Sequence, residues 1–238
     1  MAYLRGLLYW LGLAVSTVLM VVVLLLAAPL PFLTRQHISK AWPYFNLWWL
    51  RVTCGLRHDV SGRENIPPGA AIYVCKHQSA WETIAMETMV PRMVWVLKRE
   101  LMWVPIFGWG LATLKPIAIN RAKGRKAVEQ LIEQGRARLR DGINVVIFPE
   151  GTRVAPGERG EYRPGAALLA AKTRAPVVPM AHNAGYYWPR RGFLKRPGII
   201  KVVIGEPIDT TGMSASQINR RIEDWIETTV AAIGGRPD

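Results

Sequence analysis

His77 and Glu82 stand five positions apart in the run His77-Gln78-Ser79-Ala80-Trp81-Glu82. A carboxylate near an imidazole can accept one ring N–H, which fixes the tautomer and leaves the other nitrogen free to take a proton from a hydroxyl. Further along, Phe148-Pro149-Glu150-Gly151-Thr152-Arg153 offers complementary chemistry. Its arginine carries a planar fork suited to phosphate oxygens, and Gly151 permits close backbone approach. Lys115–Arg121 delivers a second arginine, Arg121, at the end of another apolar run. Each segment has a plainer reading. Ser79-Ala80-Trp81-Glu82 also matches a capping box, in which Glu82 serves only a backbone N–H. The segment 148–153 reads equally as a turn with solvated charges. Cys75, two places before His77, could carry an acyl thioester or simply fill core.

Something must hold these groups together. Beyond about residue 57 the chain alternates short Val- and Ile-rich runs with helical ones. Ala70–Lys76, Met93–Leu97, Pro116–Ile119, Asn144–Phe148, Pro176–Met180 and Ile199–Ile204 are predicted strands. Ala80–Met89, Lys123–Arg140, Gly165–Thr173 and about Ser216–Ile233 are predicted helices. In the last, Ile218, Ile222, Trp225, Ile226 and Ile233 fall near one face. Such alternation predicts an α/β domain with a mixed, largely parallel sheet flanked by helices. His77 and residues 148–153 would then lie just beyond strand ends, where ligand sites in open α/β sheets gather.

The N-terminus differs. No charge occurs between Arg5 and Arg35, and Leu7–Leu26, at about 1.5 Å per residue, could cross a hydrocarbon core of about 30 Å. A buried core helix is the alternative. Pro29 and Pro31 break the helix; Trp42, Tyr44, Trp48 and Trp49 follow, among Lys40 and Arg51, a mixture suited to the headgroup boundary. The expected division is a membrane-anchoring helical segment over 1–56 and a catalytic domain over 57–238, the anchor being a single span or a shallow hairpin.

With 31 Lys and Arg against 17 Asp and Glu, the chain of 238 residues carries +14, a field that attracts anionic lipid, phosphorylated substrate or nucleic acid. The cations are scattered and no nucleic-acid-binding motif is present, so nucleic acid is not an expected partner. Two cysteines do not make a disulfide scaffold. Four histidines without metal-ligand spacing argue against a zinc enzyme, and no metal site is expected.

Taken in order, the motifs resemble those of the glycerolipid acyltransferase superfamily, specifically the bacterial 1-acyl-sn-glycerol-3-phosphate acyltransferases. His77 and Glu82 meet its H-x4-D motif, with glutamate where the family uses aspartate. Lys115–Arg121, Phe148–Arg153 and Val177-Val178-Pro179-Met180 resemble its later blocks. Leu97-Lys98-Arg99-Glu100-Leu101 resembles a stretch whose lysine contacts the substrate phosphate. The likeness spans about residues 60–210. It implies His77 as base and Glu82 as its orienter, with Lys98, Arg121 and Arg153 gripping a glycerol phosphate. Glu150, Gly151 and Thr152 would shape the pocket. The implied reaction moves a fatty acyl group from acyl-CoA or acyl-carrier protein, without a cofactor, to the sn-2 hydroxyl of lysophosphatidic acid, forming phosphatidic acid. The implied location is a bacterial inner membrane, among membrane lipids, with the catalytic domain on the cytoplasmic face. Another lyso-lipid, such as lyso-ornithine lipid, is an alternative acceptor; a basic, non-enzymatic membrane adaptor is the alternative of a different class. His182 and Asn183 could border the donor site or be structural. Trp103, Phe107 and Trp109 could line an acyl tunnel, ordinary core packing being the favoured account.

Overall fold

A computed structural model describes residues 1–235. Seven strands form one sheet: β1 (Leu56–Ser61), β2 (Ile72–Cys75), β3 (Met93–Lys98), β4 (Ile117–Ile119), β5 (Asn144–Ile147), β6 (Val177–His182) and β7 (Gly198–Ile204). Their order is β1-β7-β6-β2-β5-β3-β4. β6, β2, β5, β3 and β4 run parallel; β7 is antiparallel to β6 and parallel to β1. The expected mixed, largely parallel sheet is therefore present. Side chains alternate across it, as the two-residue period of a strand requires. On β2, Tyr73 and Cys75 enter one core while Ile72 and Val74 enter the other.

The first core is capped by α4 (Trp81–Met89), through Trp81, Ile84 and Ala85. The second is capped by α6 (Arg125–Arg140), α7 (Gly165–Thr173) and α8 (Ala215–Ile233), through Leu131, Leu169 and Ile222 among others. On α8 the fully inward residues are Ile218, Ile222, Ile226 and Val230, with Trp225 and Ile233 at the edge of the packing. Ser214 starts this helix with a capping box completed by Gln217. β1 was not foreseen: Arg57, His58 and Asp59 hide its alternation, because an edge strand with one solvated face can carry charges.

The N-terminus forms three helices, α1 (Ala2–Leu26), α2 (Phe32–Ser39) and α3 (Ala41–Cys54). Pro29 and Pro31 lie in the α1–α2 break, as expected. Pro43 sits in the first turn of α3, where its missing N–H costs nothing. α3 returns antiparallel along α1. The Trp42 indole donates to Thr17 Oγ1 (3.1 Å) and that of Trp49 to the Leu8 carbonyl (3.0 Å). A Cβ at Gly12 would collide with the Trp49 ring, so glycine permits this crossing. Two of the tryptophans thus staple helices together, while Trp48, Tyr44 and Phe45 face outward.

Both ends of α1 rest on the sheet domain. Near its start Tyr9 is wholly buried against Trp188, ring centroids 5.3 Å apart, and Lys195 Nζ lies 4.1 Å from the centroid of Trp10. Burial in this aromatic cage pushes the Lys195 pKa down to about 8. Farther along, Val21 packs against Gly110 of α5 (Phe107–Thr113). The remaining surface of α1 exposes Leu4, Leu7, Leu11, Val15, Val18 and Leu19. Outward Trp103 and Trp109 extend this apolar surface onto the sheet domain, at 67% and 56% exposure, which corrects the core-packing expectation for them. Phe107 instead lines a cavity of about 60 Å³ with Val21, Leu24 and Leu111.

Candidate active site

Because β2, β5, β3 and β4 are adjacent and parallel, one edge of the sheet collects the residues that leave their C-terminal ends. His77 follows β2, Phe148–Arg153 follow β5, Lys98 closes β3, and Arg121 follows β4. The topology places beside one another four segments that the sequence spreads over more than seventy residues.

His77 Nδ1 lies 2.8 Å from Glu82 Oε1. The carboxylate can only accept, so Nδ1 carries the proton and Nε2 presents its lone pair. Among the described residues Nε2 has no protein hydrogen bond. The ring stacks on Phe148 (centroids 4.1 Å, 14° between planes), which stacks in turn on Trp95 (5.4 Å). Its backbone is held as firmly: the His77 N–H donates to Glu150 Oε2 (2.8 Å), and the His77 carbonyl accepts from the Val154 N–H (2.8 Å). That last bond ties the residue after Arg153 directly to the histidine.

Glu82 performs both roles read from the sequence. Besides His77, it accepts the backbone N–H groups of Gln78 (2.9 Å) and Ser79 (2.8 Å). The capping box is only half made, since Ser79 Oγ accepts from the Trp81 N–H instead. The carboxylate is fully buried. Burial pushes its pKa up, but His182, His77 and the Ser79 amide more than offset this, and the pKa lies below the ordinary value. The methylene that glutamate adds relative to aspartate does not prevent the reach to His77.

His182 is wholly enclosed. Its Nε2–H donates to the Lys76 carbonyl (2.8 Å) and its Nδ1 accepts the Ala184 N–H (3.2 Å), so both nitrogens are used. Burial holds its pKa below the usual histidine range. Asn183 bonds the backbone of Lys201 and Ile233. Both are structural.

The remaining site residues divide. Arg121 donates to the Gly151 carbonyl, and Gly151 turns the loop with φ +66°. Thr152 is exposed and Arg153 half-buried. Lys98 is exposed at the rim, 3.7 Å from Glu100. Glu150 points inward: Oε1 lies 2.7 Å from Lys76 Nζ, which also lies 2.7 Å from Glu227 Oε1 on α8. Tyr162 OH donates to the same Glu227 oxygen (2.8 Å). Burial raises the Glu150 pKa despite Lys76. Glu150 therefore shapes the loop from behind through Lys76, a residue that sequence reasoning passed over because its partners lie far along the chain.

Cys75 is fully buried, and burial, with Glu82 and Glu150 nearby, raises its thiol pKa well above the usual value. A protonated, enclosed thiol is no nucleophile. Cys75→Ala is expected to retain turnover in a steady-state assay; its loss in a folded variant would reinstate a covalent step.

A base with one free nitrogen, beside a loop presenting cations, can activate a hydroxyl on an anionic substrate. Residues 57–183 match the family model for acyltransferases. A 1-acyl-sn-glycerol-3-phosphate acyltransferase of Pseudomonas aeruginosa is 42% identical over 96% of this chain and 91% of its own length. The chain belongs to the acyltransferase family. A coconut (Cocos nucifera) acyltransferase of the same name is 27% identical over 90% of this chain and 70% of its own. The crystal structure of a 1-acyl-sn-glycerophosphate acyltransferase from Thermotoga maritima superposes with a TM-score of 0.82, covering 100% of this chain and 98% of that one at 22% identity. That likeness shows the acyltransferase fold. The matched segment 57–183 holds every residue of the His77 and Phe148–Arg153 cluster.

Proposed function

We propose that this acyltransferase moves a fatty acyl group from acyl-CoA or acyl-carrier protein to the sn-2 hydroxyl of 1-acyl-glycerol-3-phosphate, giving phosphatidic acid. The observation that carries the reading is His77, its Nδ1 fixed on Glu82 and its Nε2 unengaged, at a sheet edge that also gathers Lys98, Arg121 and Arg153. His77 Nε2 takes the hydroxyl proton as the oxygen attacks the thioester carbonyl. Collapse of the tetrahedral intermediate expels the carrier thiolate, to which the imidazolium returns the proton. Glu82 stabilises that imidazolium without itself being protonated. Lys98, Arg121 and Arg153 hold the phosphate, while Gly151, Thr152 and the Glu150-braced loop set the pocket's shape. The thioester supplies the driving force, so no cofactor is called for.

Residues 1–56 serve in this reading as the anchor and 57–238 as the catalytic domain. The antiparallel α1–α3 pair, tied to the sheet domain at both ends of α1, favours a hairpin lying in one leaflet over a single span. The domain then sits on the cytoplasmic face of a bacterial inner membrane, where an exposed row of Leu and Val meets lipid. Purified protein given lysophosphatidate and either thioester is expected to release one thiol per phosphatidic acid formed and to float with lipid vesicles. Vesicle binding without thiol release would leave only an adaptor.

A further inference from the structure

The backbone around Tyr162–Arg163 is fixed from three sides. The Tyr162 hydroxyl donates to Glu227 (2.8 Å), its carbonyl accepts from Asn219 Nδ2 (3.1 Å), and the Arg163 N–H donates to the Pro149 carbonyl (3.0 Å). On this firm base the Arg163 side chain is exposed. Among the described residues it makes no side-chain hydrogen bond or ion pair. Its position is nevertheless defined by Gly151. A Cβ at that glycine would stand 3.2 Å from Arg121 Nη1 and 3.5 Å from Arg163 Nε. Two guanidinium groups from different elements thus converge on one bare turn of backbone, where φ of +66° disfavours any side chain that could intrude.

Two cations held this close repel. Burial lowers the Arg121 pKa, Arg163 lowers it further, and Glu100 opposes both. An anion between the arginines would relieve that repulsion and occupy the fork of Arg163. We propose that Arg163 is a further substrate-binding residue, gripping the phosphate monoester of the acyl acceptor beside Gly151 together with Arg121. This deepens the reading of the acceptor as a lysophosphatidate and rests on it. The phosphates of an acyl-CoA donor are the other possible source of the same chemistry, and the kinetics separate the two.

Arg163→Ala and Arg163→Lys would be compared with the parent, varying lysophosphatidate and acyl-CoA in turn. The alanine variant is expected to raise KM for lysophosphatidate about tenfold, the scale of one charge-assisted hydrogen bond. Its kcat and its KM for acyl-CoA should stay near the parent values. Lysine should restore part of the loss, returning charge without the fork. Glycerol 3-phosphate should raise the Tm of the parent and fail to raise that of Arg163→Ala. An unchanged acceptor KM overturns the proposal, as does a rise confined to the acyl-CoA KM, or a fall in kcat accompanied by a lowered Tm. A parent that ignores lysophosphatidate, yet shows an Arg163-dependent shift with glycerol 3-phosphate, would sink the acceptor assignment and leave the anion site standing.

Discussion

Replacing His77 with alanine is expected to lower kcat by about a thousandfold, within the 10²–10⁴ range typical of a positioned general base. Among the described residues no other group is placed to substitute. His182 is enclosed with both ring nitrogens occupied, and the Cys75 thiol is buried and protonated. The loop should survive the change, because its backbone bonds to Glu150 and Val154 do not use the ring. Glu82 keeps two backbone donors and remains satisfied. Far-ultraviolet dichroism and Tm should therefore stay close to the parent while turnover collapses. A folded His77→Ala protein working at the parent rate would remove the imidazole from the mechanism.

Lys76→Met is expected to carry the largest stability cost. Methionine keeps the four-atom stem of lysine but leaves Glu150 and Glu227 facing each other without the ammonium that lies 2.7 Å from each. The side chains of Lys76 and Glu150 are wholly inaccessible and that of Glu227 is 18% exposed. Breaking a buried pair from one side costs about 3–5 kcal/mol, or on the order of 10 °C in Tm for a chain of this size. The pH dependence has a definite sign. Burial raises the folded-state pKa of Glu150 above its unfolded value, so the folded protein binds the proton more readily and stability falls as pH rises past the ordinary carboxyl range. Lys76 holds that rise back, so its loss lifts the Glu150 pKa further, and the deficit of Lys76→Met should be smaller at mildly acidic pH than at pH 8 in denaturant titrations. Adding Glu150→Gln should recover part of it. A variant as stable as the parent at both pH values would show that the cluster does not brace the loop.

Strands buried on both faces were easy to read. β2, β3, β5 and β6 are continuous runs of Val, Ile and other apolar residues, and a run needs no partner to be recognised. β1 escaped because its charges face solvent at the sheet edge. His77 and Glu82 were legible because five residues of local chain bring them to 2.8 Å. Whether Glu82 caps or orients could not be decided from spacing, and the structure shows why: one carboxylate does both. Lys76, Glu227 and Arg163 carried no such local signal. Lys76 meets Glu227 across 151 positions of sequence, on a helix whose apolar face alone was visible. Arg163 gains its neighbours only when the turn at Gly151 folds toward Arg121. Trp103 and Trp109 misled for a related reason, since an aromatic cluster reads as core until the exposed apolar surface it belongs to is in view.

A structure determined with lysophosphatidate bound, in the absence of donor, tests the account most directly. The 2-hydroxyl should lie within hydrogen-bond reach of His77 Nε2, with the phosphate against the guanidinium groups that border Gly151. A phosphate seated away from those arginines, or a hydroxyl turned from the imidazole, would contradict it.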